Sequence, residues 1–142
     1  MSKQVLSIEQ MQHLEELGVD TSKANFYWHR TKSLNNYNDW DEWKLHYGVL
    51  RLARGFTTIN CQYVRTFTLQ DILDLIPQDI TPLSLPYSLF IDYQEMRIAY
   101  CSVDREGMVF VEPTFNIGEE LIDAAYEMLC WVIENRYVDT KK

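Results

Sequence analysis

A chain of 142 residues with 46% apolar content, including four Trp, nine Tyr and six Phe, holds enough apolar surface for one hydrophobic core, which excludes a disordered chain. Its net charge of -8 excludes a general binder of the nucleic-acid backbone, which needs a basic balance. No apolar run reaches the roughly eighteen residues of a membrane span, and none follows Met1-Ser2-Lys3-Gln4, so one cytoplasmic domain over residues 1–142 is expected.

Ser7 followed by Gln10 predicts a capped helix, with Ile8, Met11, Leu14 and Leu17 on its apolar face and Gly18 at its end. Glu9, His13 and Glu16 then face water. Asn25 to Lys32 reads as a strand whose faces are Phe26, Trp28, Arg30 and Tyr27, His29, Thr31. Ser33 to Asp39 is a polar connection. Trp40, Trp43 and Tyr47 fit helical spacing, yet Trp43, Leu45 and Tyr47 alternate with Lys44 and His46, and a strand ending at Gly48 is favoured. Val49 to Arg65 reads as further extended chain with a turn near Gly55.

Thr68 with Asp71 starts a second helix, which Pro77 stops. The chain loops between Ile80 and Pro86. Tyr87 to Tyr93, Met96 to Val103 and Met108 to Glu112 form an antiparallel meander with turns at Gln94-Glu95 and Asp104 to Gly107. A last helix starts near Asn116–Gly118, with Glu119 and Glu120 in its first turn, and buries Leu121, Ala125, Met128, Leu129 and Val132. The expected fold is α+β, antiparallel sheet packed against helices, in the order α-β-β-α-β-β-β-α.

Charge is unevenly placed. Residues 23–66 carry seven Lys and Arg against three acids (+4), whereas residues 67–142 carry five against fourteen (-9). The same basic stretch holds the aromatic cluster Tyr27, Trp28, His29, Arg30, Trp40, Trp43 and Tyr47. Such rings make core, a protein interface or a stacking platform. The candidate binding residues are Tyr27, Trp28, Arg30, Trp43 and Tyr47.

Catalytic signals are sparse. Cys61, Cys101 and Cys130 are odd in number and widely spaced, as expected of reduced thiols. His13, His29 and His46 are isolated, and without any metal-ligand spacing no metal or cofactor is expected. Cys61 could meet His29 or His46 if their strands abut, and Asp71 and Asp74 are neighbours on one helix face. No phosphate loop, nucleophile elbow or dinucleotide fingerprint occurs.

Four segments together resemble a known group: Ile8-Glu9-Gln10-Met11-Gln12-His13-Leu14, Leu17 to Ala24 (LGVDTSKA), Phe67 to Pro77 (FTLQDILDLIP) and Met128 to Asn135 (MLCWVIEN). The group comprises small acidic α+β proteins of intestinal anaerobic bacteria, their phages and mobile elements. The resemblance spans most of the chain, departs most over Val49 to Val64, and implies fold and context but no catalytic residue. The favoured function is a non-enzymatic protein-binding or accessory protein, whose partner is another protein or a second copy. The alternatives are a small hydrolase using dispersed acids with His29 or His46, and an acidic mimic of nucleic acid.

Overall fold

The computed structural model describes residues 3–32, 40–48, 61–81, 86–104, 107–111 and 120–138. Helix α1 spans Ile8–Glu16. The Ser7 hydroxyl accepts the Gln10 N–H and the Gln10 side chain accepts the Ser7 N–H, so two amides without helical partners are satisfied. At its far end the N–H groups of Gly18 and Val19 reach the carbonyls of Glu15 and Leu14. This double return needs a left-handed residue, and Gly18 supplies it at φ +94°. Met11 and Leu14 are fully buried. His13 departs from its expected place in water: its half-buried ring lies edge-on to Tyr126, the centroids 6.1 Å apart.

Strands β1 (Phe26–Thr31), β2 (Lys44–Tyr47) and β3 (Cys61–Thr66) form an antiparallel sheet in the order β2-β1-β3. The strand reading therefore wins over the helical one before Gly48. β3 adds a third strand ahead of the second helix. The expected Ser33 to Asp39 connection and the turn near Gly55 lie outside the described residues. Helix α2, Leu69–Leu75, starts at the reciprocal Thr68 and Asp71 capping box. It ends because Ile76, preceding Pro77, is held in extended backbone.

The second sheet is also antiparallel, in the order β4 (Asp79–Ile80), β5 (Tyr87–Asp92), β6 (Arg97–Asp104), β7 (Gly107–Val111). The two-residue β4 was not expected, being too short for any alternation to register. Helix α3 spans Leu121–Glu134. Its expected start near Asn116–Gly118 lies outside the described residues. Glu120, expected inside the first turn, is instead the extended residue before the helix, and its carboxylate accepts the Lys3 backbone N–H. The class is α+β, as the periodicities predict, with β3 and β4 added to the expected order.

The core joins both sheets' inner faces. Leu121, Ala125, Met128, Leu129 and Val132 of α3 share one buried cluster with Ile98 and Tyr100 of β6, Ile72 of α2 and Ile76 just after it, Met11 and Leu14 of α1, and Leu6 just before it. Asp123 clamps this assembly, accepting hydrogen bonds from Lys3 Nζ at 2.7 Å and Gln10 Nε2 at 2.9 Å. No helix among the described residues is long and apolar enough to cross a membrane.

Burial fixes a pH response. It raises the Tyr100 and Tyr126 phenols well above their ordinary 10.0 and pushes the Cys130 thiol from 9.0 up to about 12. These groups keep their protons in the fold while the unfolded chain loses them at ordinary values, the thiol first. The stabilisation is whole below about pH 9 and declines above it. Denaturant midpoints are expected to fall steadily from pH 9 to 11. Midpoints that stayed level over that interval would contradict the burial of these three groups.

Candidate functional site

Alternation along β1 sends Phe26, Trp28 and Arg30 to one face and Tyr27, His29 and Thr31 to the other. The inner face is tied to the core. Trp28 Nε1 and Thr66 Oγ1 both donate to the Leu6 carbonyl, at 3.0 Å and 2.7 Å, and Val64 packs on the core cluster. Farther out on this face the Arg30 guanidinium lies 4.5 Å from the Trp43 ring centre and 4.9 Å from that of Trp40. Its Nε donates to Gln62 Oε1 at 2.6 Å. Arg30 is thus held by aromatic faces in a cation–π arrangement and by an amide.

On the outer face the register places Tyr27 across from His46 and Arg65, and His29 across from Lys44 and Tyr63. The four rings close a circuit. Tyr27 stacks on His46 at 5.5 Å, His46 meets His29 edge-on at 5.2 Å, His29 stacks on Tyr63 at 4.9 Å, and Tyr63 meets Tyr27 edge-on at 5.8 Å. Stacked and edge contacts alternate round the circuit, and the Tyr63–Tyr27 pair has the edge-to-face geometry that aromatic quadrupoles favour. Tyr27, His29 and Tyr63 are half-buried and His46 is exposed. Lys44 is exposed beside them, and the Arg65 guanidinium donates to the Ala24 carbonyl at 3.0 Å.

The surroundings tune this circuit. Desolvation, helped by the nearby His46 and Lys44, holds the His29 imidazole below its ordinary 6.5, so it is neutral at pH 7. Desolvation, with Cys61 and Tyr27 adding to it, raises the Tyr63 phenol above 10.0. Both rings therefore present uncharged faces between flanking cations.

Of the five candidate binding residues, only Tyr27 belongs to this circuit. Trp28, Arg30 and Trp43 serve the opposite face, and Tyr47 lies there too, packed 5.0 Å from Phe26 yet 73% exposed. Tyr63 and the meeting of His29 with His46 were missed. Odd-numbered alternation in Cys61, Tyr63 and Arg65 was the available signal, but only the register says which strands they oppose.

Cys61, weighed with His29 or His46 for catalysis, is 5% exposed and lies across from Thr31 on the same face as His29. Its thiol is engaged by Tyr63, the residue across from His29, while His46 is on the strand beyond β1. Asp71 caps α2, and the exposed Asp74 accepts from Gln70 Nε2 at 2.8 Å. An open groove of about 410 Å³ on the second sheet, lined by Pro86, Ser88, Leu89, Phe90, Cys101 and Ser102, brings no acid and base together. Among the described residues, no three His, Cys, Asp or Glu side chains gather to hold a metal ion. No protein-family model, curated protein or solved structure matches the chain.

Proposed function

We propose that this is a non-enzymatic binding protein, an accessory factor of phage or mobile-element type, that engages another protein through the outer face of the β2-β1-β3 sheet. The circuit of Tyr27, His46, His29 and Tyr63 carries the reading. Rings held by one another lose little conformational freedom on binding, so their apolar area converts efficiently into affinity. Lys44 and Arg65 add a local positive field on an otherwise acidic chain, which favours an acidic partner segment. The accessory context rests on the resemblance of the helical and turn segments.

Affinity capture from the native host tests this with three proteins. Wild type and Arg30→Ala are expected to recover the same partner, because Arg30 faces the other way. Tyr63→Ala combined with Lys44→Glu is expected to lose at least about 2 kcal/mol of binding, a roughly thirtyfold drop. Equal recovery by all three proteins would remove the outer face as the binding surface.

A further inference from the structure

Two of the three histidines that are isolated in sequence meet in the fold: strand pairing brings His29 and His46 together with ring centroids 5.2 Å apart. We propose that these two imidazoles form a two-ligand site for a divalent transition-metal ion of the zinc class, open to water or an outside ligand at its remaining positions. This proposal stands apart from the partner-binding reading, since it concerns the isolated chain alone.

The centroid distance decides whether one ion fits. An imidazole-bound zinc ion lies about 2.0–2.1 Å from its nitrogen and so about 3.2 Å from the ring centre, and two rings at a tetrahedral angle then have centres about 5.2 Å apart. Rotation about the Cβ–Cγ bond carries each nitrogen around an axis that passes close to the ring centre. The observed spacing is therefore preserved while the nitrogens turn to a shared point, along a torsion that is intrinsically broad. Both ligands come from neighbouring strands joined in register, which positions them more firmly than loops would.

The surroundings set the site's strength and selectivity. Tyr27 stacks on His46 and Tyr63 on His29, contacts that the imidazoles give up as they turn toward the ion, and neither phenol competes as a strong ligand. Lys44, across from His29, and Arg65, across from Tyr27, oppose a second cation and keep the site weaker than a three-ligand centre. No third His, Cys, Asp or Glu joins the pair among the described residues, so the ion keeps open positions. With neutral nitrogen ligands, copper is favoured over zinc and nickel in the usual affinity order.

Titration calorimetry with Zn²⁺, followed by histidine side-chain NMR, tests the site on the full chain. Wild type is expected to take up one ion, with the His29 and His46 ring signals shifting together. Losing one arm of the chelate costs the intramolecular advantage, so His46→Gln should weaken uptake roughly a hundredfold. His46 is exposed, so that variant keeps the fold. His13→Gln, on α1, is expected to bind like wild type. Zinc affinity unchanged in His46→Gln, or zinc uptake that leaves both imidazole signals in place, would overturn the assignment, as would the absence of uptake by wild type.

Discussion

Leu129→Ala is expected to lower the unfolding free energy by about 2–5 kcal/mol. Leu129 is 1% exposed and lies in the buried cluster that joins α3 to β6 and α2. Truncation removes three buried carbons and leaves a cavity that the close-packed core around it fills only in part. Ile133, half-buried on the same helix, is expected to cost clearly less when cut to alanine. Denaturant melts of the two variants separate these outcomes. A loss below about 0.5 kcal/mol for Leu129→Ala would mean that α3 lies outside the core.

The second large effect concerns the Leu6 carbonyl. Leu6 is fully buried, and its oxygen receives both the Trp28 indole N–H and the Thr66 hydroxyl. Either donor alone still satisfies it, so Trp28→Phe and Thr66→Val should each be tolerated in part. With both changes the carbonyl is buried without these two donors, at a cost of about 1–3 kcal/mol beyond the lost packing. A double-mutant cycle is therefore expected to show a coupling of about 0.5–3 kcal/mol. Additive losses would mean that the oxygen finds another partner. The same cycle measures how much of the Trp28 contribution to stability passes through this hydrogen bond.

How much of this was legible in the sequence follows from which signals are local. The caps at Ser7 and Thr68, the Gly18 return and the stop at Pro77 each depend on residues three or four apart, and their chemistry is visible in the chain itself. The core stripe of α3 follows the same short periodicity. β3 was harder to place. Gln62, Val64 and Thr66 on one face and Cys61, Tyr63 and Arg65 on the other give neither face a clear apolar character. Its inner face is covered by the Leu6 segment as well as by side chains, which no alternation rule anticipates.

The candidate site was legible only in its parts. Tyr27 and His29 were correctly placed on one face of β1, and aromatic richness marked the region. The assembly of four rings depends on the pairing of Tyr27 with His46 and of His29 with Tyr63, across separations that no turn motif fixes. Of the five candidate binding residues, Trp28 donates to a buried carbonyl, and Arg30 is held by two tryptophans and a glutamine. Arg30 finds partners for its charge and its N–H groups within the fold, which composition alone does not reveal.

Site-specific photocrosslinking in the native host tests the binding face most directly. A photoreactive residue at position 46 lies on the outer face of the first sheet, and one at position 95 lies in the turn between β5 and β6. The proposed interface predicts a single strong adduct from position 46, lost when Lys44→Glu and Tyr63→Ala are added, and no equivalent from position 95. An adduct that formed from position 95 and not from position 46, or that survived both substitutions at full yield, would contradict the assignment of that sheet face as the binding surface.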